Sequence, residues 1–293
     1  MPSGLMNVGG TCYLNSVLQA LHASNALAAA GGRDTFSSQN GASTTAEELA
    51  EVLALLAVND TVIGPNKLLQ HLDQALKGAD FCVRRQNDPH EFYVLLTDRI
   101  THGLPPSSAL TRAFYGQSVT TFTCNACGAK YTNKEPFSSL LLDLPADEGQ
   151  AVSLEDLIKA HLTPLNANDG GGTWRCDRCT QRGQPVTRSI ALRGLPSVLA
   201  ITLCRYGPDG RKRLTPVTAP PCLSFPSKKQ KYRLAAVCHH IGGSGHSGHC
   251  LATTLQKDGT WTSFDDASIE SGQTHGGDAR SAYMIFYSQI ACD

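Results

Sequence analysis

The sequence predicts an α+β fold, and three observations carry that reading. Helical patterns crowd the part of the chain before a Pro/Ser linker at Leu104–Leu110. Extended patterns rich in Thr, Val and aromatic residues dominate after it. The β-rich part also holds two CxxC pairs whose 48-residue separation exceeds a compact zinc ribbon, so a whole fold element must bring them together. At 293 residues the chain can bury a large core, as one big domain or two smaller ones. A formal net charge of zero leaves no global field for nucleic acid or an anionic membrane. With 17% charged and 41% hydrophobic residues the chain is not of the disordered class. No apolar run reaches the length of a membrane span, and the N-terminus lacks a signal peptide's pattern. Eleven cysteines without an export signal point to reduced thiols and metal binding rather than a disulfide framework. A cytoplasmic or nuclear protein is expected.

The first element is GLMNVGGTCYLNSVLQAL, Gly4 to Leu21. A Gly-rich loop runs into Cys12, and Tyr13, Val17, Leu18 and Leu21 fall on one face of the helix that follows. Cys12 therefore sits at or just before a helix N-terminus, where unpaired N–H groups and the macrodipole favour a thiolate. Gly9 and Gly10 can adopt positive φ and let a bound carbonyl approach. Asn7 can offer its side-chain N–H to an oxyanion. Such a site could run acyl transfer, although an isolated thiol is more often a buried structural residue.

Ala30–Thr45 reads as a small, polar loop. Thr45 and Glu48 form a capping box for a helix with Leu49, Val52, Leu53 and Leu56 inside. Pro65 opens the next helix at its first position and Gly78 ends it, with Leu68, Leu69, Leu72 and Leu76 as its stripe. Asp88, Pro89 and Glu91 start another, burying Phe92, Leu95, Leu96 and Ile100. Phe114–Thr123, Ala129–Thr132 and Leu140–Leu144 read as strands, and Ser153 with Asp156 opens a short helix through Leu162.

Cys124, Cys127, Cys176 and Cys179 supply four thiolates, the second pair following a Gly170–Gly172 turn. Four thiolates leave no open coordination position, so a zinc ion (Zn2+) held there would be structural. Ser197–Tyr206 is a strand, and the basic clusters Arg211–Arg213 and Lys228–Lys231 read as solvated rims. Gly242–Gly248 is a mobile loop ahead of His249, which is singled out among ten histidines by that turn and the strand after it.

These segments resemble the characteristic boxes of the ubiquitin-specific protease family. The first resembles its cysteine box at Gly4, Leu5, Asn7, Gly9, Thr11, Cys12, Tyr13, Asn15, Ser16, Leu18, Gln19 and Leu21. Gln86, Asp88, His90, Glu91 and Phe92 resemble its Q-Q-D-A-H-E-F box, with Asn87 and Pro89 departing. Tyr232, Leu234, Ala236, Val237, His240, Gly248, His249 and Ala252 resemble its histidine box, although Cys250 stands where the pattern has Tyr. Thr202 and Cys204 replace a His and a Lys in the strand before it. Trp261, Phe264, Asp265 and Asp266 resemble W-x-x-F-D-D, and Ala282, Tyr283, Phe286 and Tyr287 the closing strand.

The resemblance, from Gly4 to about Tyr287, implies one papain-like cysteine protease domain: a helical thumb (1–110), zinc-bearing fingers (111–195) and a β-rich palm (196–293). It implies thiol-dependent hydrolysis after the C-terminal Gly of ubiquitin or a ubiquitin-like modifier by an enzyme expected to be a monomer. Cys12 would be the nucleophile, His249 the base and Asp265 its orienting acid, with Asp266 the competitor for that role. Asn7 would stabilise the oxyanion, while Gln86, Asp88, Glu91, His240 and Tyr283 would line the channel for the modifier's tail. A catalytically silent ubiquitin-binding module and a protease for an interferon-induced ubiquitin-like modifier are the alternatives.

Overall fold

The computed structural model describes residues 2–37, 44–58, 61–76, 81–145, 149–167, 176–179, 186–207, 210–225, 229–244, 247–274 and 276–290. Helices α1 (Cys12–Ala23), α2 (Ala26–Ala29), α3 (Arg33–Ser37), α4 (Thr44–Val58), α5 (Asn66–Ala75), α6 (Pro89–Thr101) and α7 (Ala109–Phe114) come first. Two short strands, β1 (Gly4–Leu5) and β2 (Val62–Ile63), pair in parallel among them. The rest of the chain supplies β3 (Gly116–Cys124), β4 (Lys130–Phe137), β5 (Ser139–Asp143), β6 (Val152–Ser153), α8 (Leu154–Leu162), β7 (Leu165–Ala167) and β8 (Val186–Gly194). It continues with β9 (Val198–Cys204), β10 (Val217–Thr218), β11 (Cys222–Phe225), β12 (Gln230–Ser244), β13 (Ser247–Leu255), β14 (Trp261–Asp265), β15 (Ser268–Gln273) and β16 (Ala282–Ile290).

The large sheet runs β15-β14-β13-β12-β16-β9-β5, with β11 beside the first part of β12. Its central strands β9 and β16 are covered on both faces, which explains why β9 (VLAITLC) reads as an almost unbroken apolar run. Val198 and Ala200 join the core shared with the helices, while Leu199, Ile201 and Leu203 join a second core with α8. Met284 and Phe286 of β16 alternate in the same way with Ile285 and Tyr287, as a period of two requires. A separate four-stranded sheet, β4-β3-β8-β7, carries the CxxC pairs at its end.

Helix α1 is the pivot. It is buried from Cys12 to Leu21, packed between α4 and α6 on one side and β12 and β13 on the other. Its polar residues are therefore enclosed and hold neighbouring backbone. Gln19 Nε2 donates to Ser3 O (2.8 Å), and Ser16 Oγ donates to Tyr13 O (2.8 Å). Asn15 Nδ2 donates to Asp266 Oδ1 (2.8 Å). Leaving one such donor unpaired would cost about 1–3 kcal/mol, so the Gln19 bond fixes where the N-terminal segment lies.

Several expected boundaries move. Helix α4 begins at Thr44, so Thr45 lies buried within the first turn instead of capping it. Pro65 is the residue before α5, one position earlier than expected, and its carbonyl takes the first helical bond from Leu69 N. Gly78, Gly170–Gly172 and Lys228 lie outside the described residues. The expected linker ends in helix α7, capped by Ser108 Oγ accepting from Thr111 N, so Phe114 closes a helix and the strand starts at Gly116. Beyond Gly242 the chain stays in strand to Ser244, because pairing with β13 resumes at Ser244 with Ser247. Nor are Lys212 and Arg213 a free rim: Lys212 donates to His240 O, and Arg213 Nη1 to Leu144 O (2.7 Å).

Candidate active site

Cys12 is the first residue of α1, at the end whose backbone N–H groups are unpaired. The preceding loop is held by Asn7, whose Oδ1 accepts from Gly10 N and Thr11 N, both at 3.0 Å. Gly10 has φ of +81°, and a Cβ there would lie 3.1 Å from Gln86 N. Only glycine lets the two loops touch. Tyr13, the next residue, donates its hydroxyl to Val83 O (2.9 Å). Asn87 Nδ2 reaches that hydroxyl (3.2 Å), Cys82 O (2.8 Å) and Arg85 O (2.9 Å). The segment ahead of α6 is thereby tied beside Cys12.

Strand β13 brings the partners. His249 Nε2 lies 2.5 Å from Asp265 Oδ1 at the end of β14. Burial pushes the His249 imidazole down, but the Asp265 hydrogen bond and charge, with the Cys12 charge, raise it on balance. The Cys12 thiol is lowered to about 6. A hydrogen bond from the Cys250 thiol is the largest cause; burial opposes it, and the Cys250 backbone N–H and the His249 charge assist. Both shifts favour a thiolate beside an imidazolium. Cys12 and Cys250 share a cavity of about 310 Å³ with Gln86, Asn87, Asp88, Glu91, His240, Ser247 and Gly248.

The two adjacent aspartates part company because β14 ends between them. Asp265 finishes the strand, whereas Asp266 turns away with φ of +53°. Asp266 Oδ2 accepts from Asn7 Nδ2 (2.8 Å) and its Oδ1 from Asn15 Nδ2 (2.8 Å). The Asn7 side chain is thus locked at both ends, its oxygen on the loop before Cys12 and its amide on Asp266.

Of the expected channel residues, Gln86, Asp88, Glu91 and His240 line the cavity shared by Cys12 and Cys250, and Tyr283 does not. Asp88 caps α6, its Oδ1 accepting from His90 N (2.7 Å) and Glu91 N (3.0 Å). Its Oδ2 accepts from the buried Tyr283 hydroxyl at 2.6 Å. Gln86 donates to Gly248 O across the cavity, and Glu91 is exposed. His240 Nδ1 lies 2.6 Å from the Tyr206 hydroxyl, and a Cβ on Gly248 would overlap its ring. Thr202, which replaces the expected His, bonds Ser139 Oγ (2.8 Å) and His90 Nδ1 (3.0 Å). Sequence reasoning missed Asp266 as the holder of Asn7, Lys212 and Tyr206 as supports of His240, and Cys250 as the neighbour of Cys12. Only the Asp-Asp pair and the Tyr-to-Cys departure were visible signals.

In the four-stranded sheet, Cys124 Sγ lies 3.7 Å from Cys179 Sγ and Cys127 Sγ 3.5 Å from Cys176 Sγ. All four sulfurs lie within 4.8 Å of one another. Zinc–sulfur bonds of about 2.3 Å place tetrahedral sulfurs about 3.8 Å apart, so this four-cysteine cluster fits a structural zinc site. Tyr131 supports it, its hydroxyl 3.5 Å from Cys176 Sγ and accepting from Asp177 N (3.0 Å).

Comparison with known proteins agrees with this architecture. The chain is 27% identical over 308 residues to ubiquitin carboxyl-terminal hydrolase 17-like protein 6 of Homo sapiens, covering 98% of this chain and 74% of that protein. It is also 27% identical over 315 residues to ubiquitin carboxyl-terminal hydrolase 23 of Arabidopsis thaliana, covering 97% of this chain and 35% of that one. For human 17-like protein 13 the share is 56%, so the chain spans only part of the curated relatives it matches. The fold matches the SAGA Ubp8/Sgf11/Sus1/Sgf73 DUB module bound to ubiquitin aldehyde with a TM-score of 0.75 at 20% identity, over 99% of this chain and 70% of that one. The model of the family described as ubiquitin carboxyl-terminal hydrolase matches residues 3–287. With a papain-like α+β fold that carries a four-cysteine cluster, the chain belongs to the ubiquitin carboxyl-terminal hydrolase family.

Proposed function

We propose that the chain is a thiol-dependent isopeptidase that cleaves the bond after the C-terminal glycine of ubiquitin. The observation that supports this is Cys12 at a helix N-terminus, its thiol lowered to about 6 with help from the His249 charge, and a His249 that Asp265 holds at 2.5 Å. Cys12 attacks the scissile carbonyl as a thiolate and His249 then protonates the departing amine. Asp265 fixes the imidazole so that one ring nitrogen faces the carboxylate and the other faces the reaction. The oxyanion would draw on the Cys12 backbone N–H and on the amide of Asn7, which Asp266 holds in place. Release of that amide from Asp266 toward the oxyanion would be part of the reaction.

The substrate tail, Leu-Arg-Gly-Gly, would enter between the Gln86–Glu91 segment and the Ser247–Cys250 strand. Paired glycines suit a cavity in which His240 already stacks against a glycine. Glu91, exposed at this wall, would meet the tail arginine, with Asp88 adding its charge from behind the Tyr283 bond. Cys124, Cys127, Cys176 and Cys179 would hold one zinc ion whose part is to fold the four-stranded sheet. A panel of modifiers carrying a C-terminal fluorophore tests the reading. Ubiquitin should be cleaved in a Cys12-dependent manner. Cleavage only of another modifier would replace the substrate, and none at all would refute the activity.

A further inference from the structure

At the position after His249 this chain has Cys250 where the family's pattern has Tyr, and the structure gives the departure a chemical consequence. Cys250 lies on β13, which packs along α1, and both residues belong to one buried cluster. The Cys250 thiol and backbone N–H lie near enough to the Cys12 sulfur to favour its thiolate. Cys12 is 3% exposed and Cys250 4%, and both line the same 310 Å³ cavity, so a small reagent entering it meets the two sulfurs together. A third buried thiol, Cys238, is engaged elsewhere, donating to Ser16 O at 3.3 Å.

We propose that Cys12 and Cys250 form a peroxide-responsive dithiol pair, in which oxidation of Cys12 is captured as a Cys12–Cys250 disulfide that a thiol reductant reverses. The Cys12 thiolate attacks one oxygen of hydrogen peroxide, the O–O bond breaks, and hydroxide leaves a Cys12 sulfenic acid. Cys250 then gives up its proton and its sulfur attacks Cys12 Sγ. The S–O bond breaks and hydroxide leaves, taking up that proton. In sum two thiols lose two electrons and two protons to one peroxide, giving one disulfide and two waters. The order of events follows from the contact. While Cys12 is a thiolate its hydrogen bond and charge keep the Cys250 thiol protonated. Conversion of Cys12 to a neutral sulfenic acid removes both restraints. A disulfide formed this way stops the proposed reaction and withholds Cys12 from the irreversible sulfinic and sulfonic steps.

The inference rests on the proposed function only for the thiolate character of Cys12. The test uses the full, zinc-supplied chain, treated with hydrogen peroxide, alkylated, and mapped by mass spectrometry without reduction. The expected product is a peptide pair joining Cys12 to Cys250, lighter by two hydrogens than its reduced parts. Cleavage of a ubiquitin–fluorophore substrate should be lost in step and mostly restored by dithiothreitol. Cys250→Ser and Cys250→Tyr, each compared with its own untreated activity, should lose cleavage to peroxide without recovery and accumulate Cys12 sulfinic acid. Wild-type chain with Cys12 over-oxidised while Cys250 stays reduced, or a Cys12–Cys238 bond, would overturn the proposal. Mapping on the wild-type chain decides even if a variant does not fold. If Cys12 is not the nucleophile, cleavage by the untreated chain survives Cys12→Ala while the map of the wild-type chain still reads the pair.

Discussion

Replacing Asp265 with Asn removes one charge from one contact, and its expected effect can be worked from the structure. The bond to His249 is 2.5 Å long, but the two side chains keep 39% and 53% of their surface exposed, so water screens the pair. Hydrogen bonds to charged groups contribute about 1.5–3 kcal/mol, and screening places this one near the lower end. Loss of about 1.5 kcal/mol from the transition state, where the imidazolium forms, is about a tenfold fall in kcat. Loss of the ring's tautomer control adds to it. The assay is hydrolysis of a ubiquitin C-terminal fluorophore across pH. Because Asp265 helps to raise the His249 imidazole, its alkaline limb should move to lower pH in Asp265→Asn. The Asp266 charge also raises the imidazole, but least among the causes, so Asp266→Asn should move that limb less. It should instead lower both kcat and the melting temperature, since Asp266 anchors Asn7 and Asn15 at 2.8 Å each. An unmoved alkaline limb in Asp265→Asn, or a larger shift in Asp266→Asn, would refute the division of roles.

Four further outcomes are expected. Activity of the wild-type chain should rise with pH through about 6 as the Cys12 thiol ionises and fall at higher pH as His249 loses its proton. Cys250→Ala removes the largest stabiliser of that thiolate and should move the acid limb upward, as a pH–rate profile would read. Asp88→Asn keeps an oxygen for the cap but loses the charged acceptor of the Tyr283 hydroxyl. The melting temperature should fall modestly, and kcat/KM should fall about tenfold for ubiquitin but less for a tail-arginine variant; equal ratios would leave Asp88 a structural cap. Cys176→Ser should lower the melting temperature and abolish stoichiometric zinc by metal analysis, and full zinc content in that variant would count against the four-sulfur site.

What could be read from the sequence was local chemistry. Asp88 with Pro89, and Ser153 with Asp156, carry their capping signals within four residues, and both helices start where expected. Signals that tertiary structure overrides misled. Thr45 resembles a cap, yet the helix extends before it and buries it. Phe114 resembles a strand former, but Ser108 nucleates a six-residue helix that ends on it. The glycines after Ile241 suggest a loop, while β12 runs on through an irregularity at Gly242 and Gly243 to pair again at Ser244 with Ser247. In the candidate site, Cys12, His249 and Asp265 could be singled out because their surrounding boxes are long. The Asp266–Asn7 bond joins residues 259 positions apart, and the Cys12–Cys250 contact depends on how β13 lies against α1. Neither follows from spacing along the chain.

The central claim is that Cys12 attacks the C-terminal carbonyl of ubiquitin. Ubiquitin bearing a C-terminal electrophile, incubated with the chain and mapped by mass spectrometry, tests it most directly. One adduct should form, on Cys12, and Cys12→Ala should abolish it while still binding ubiquitin. An adduct on Cys250 or Cys238, or one that survives Cys12→Ala, would contradict the account.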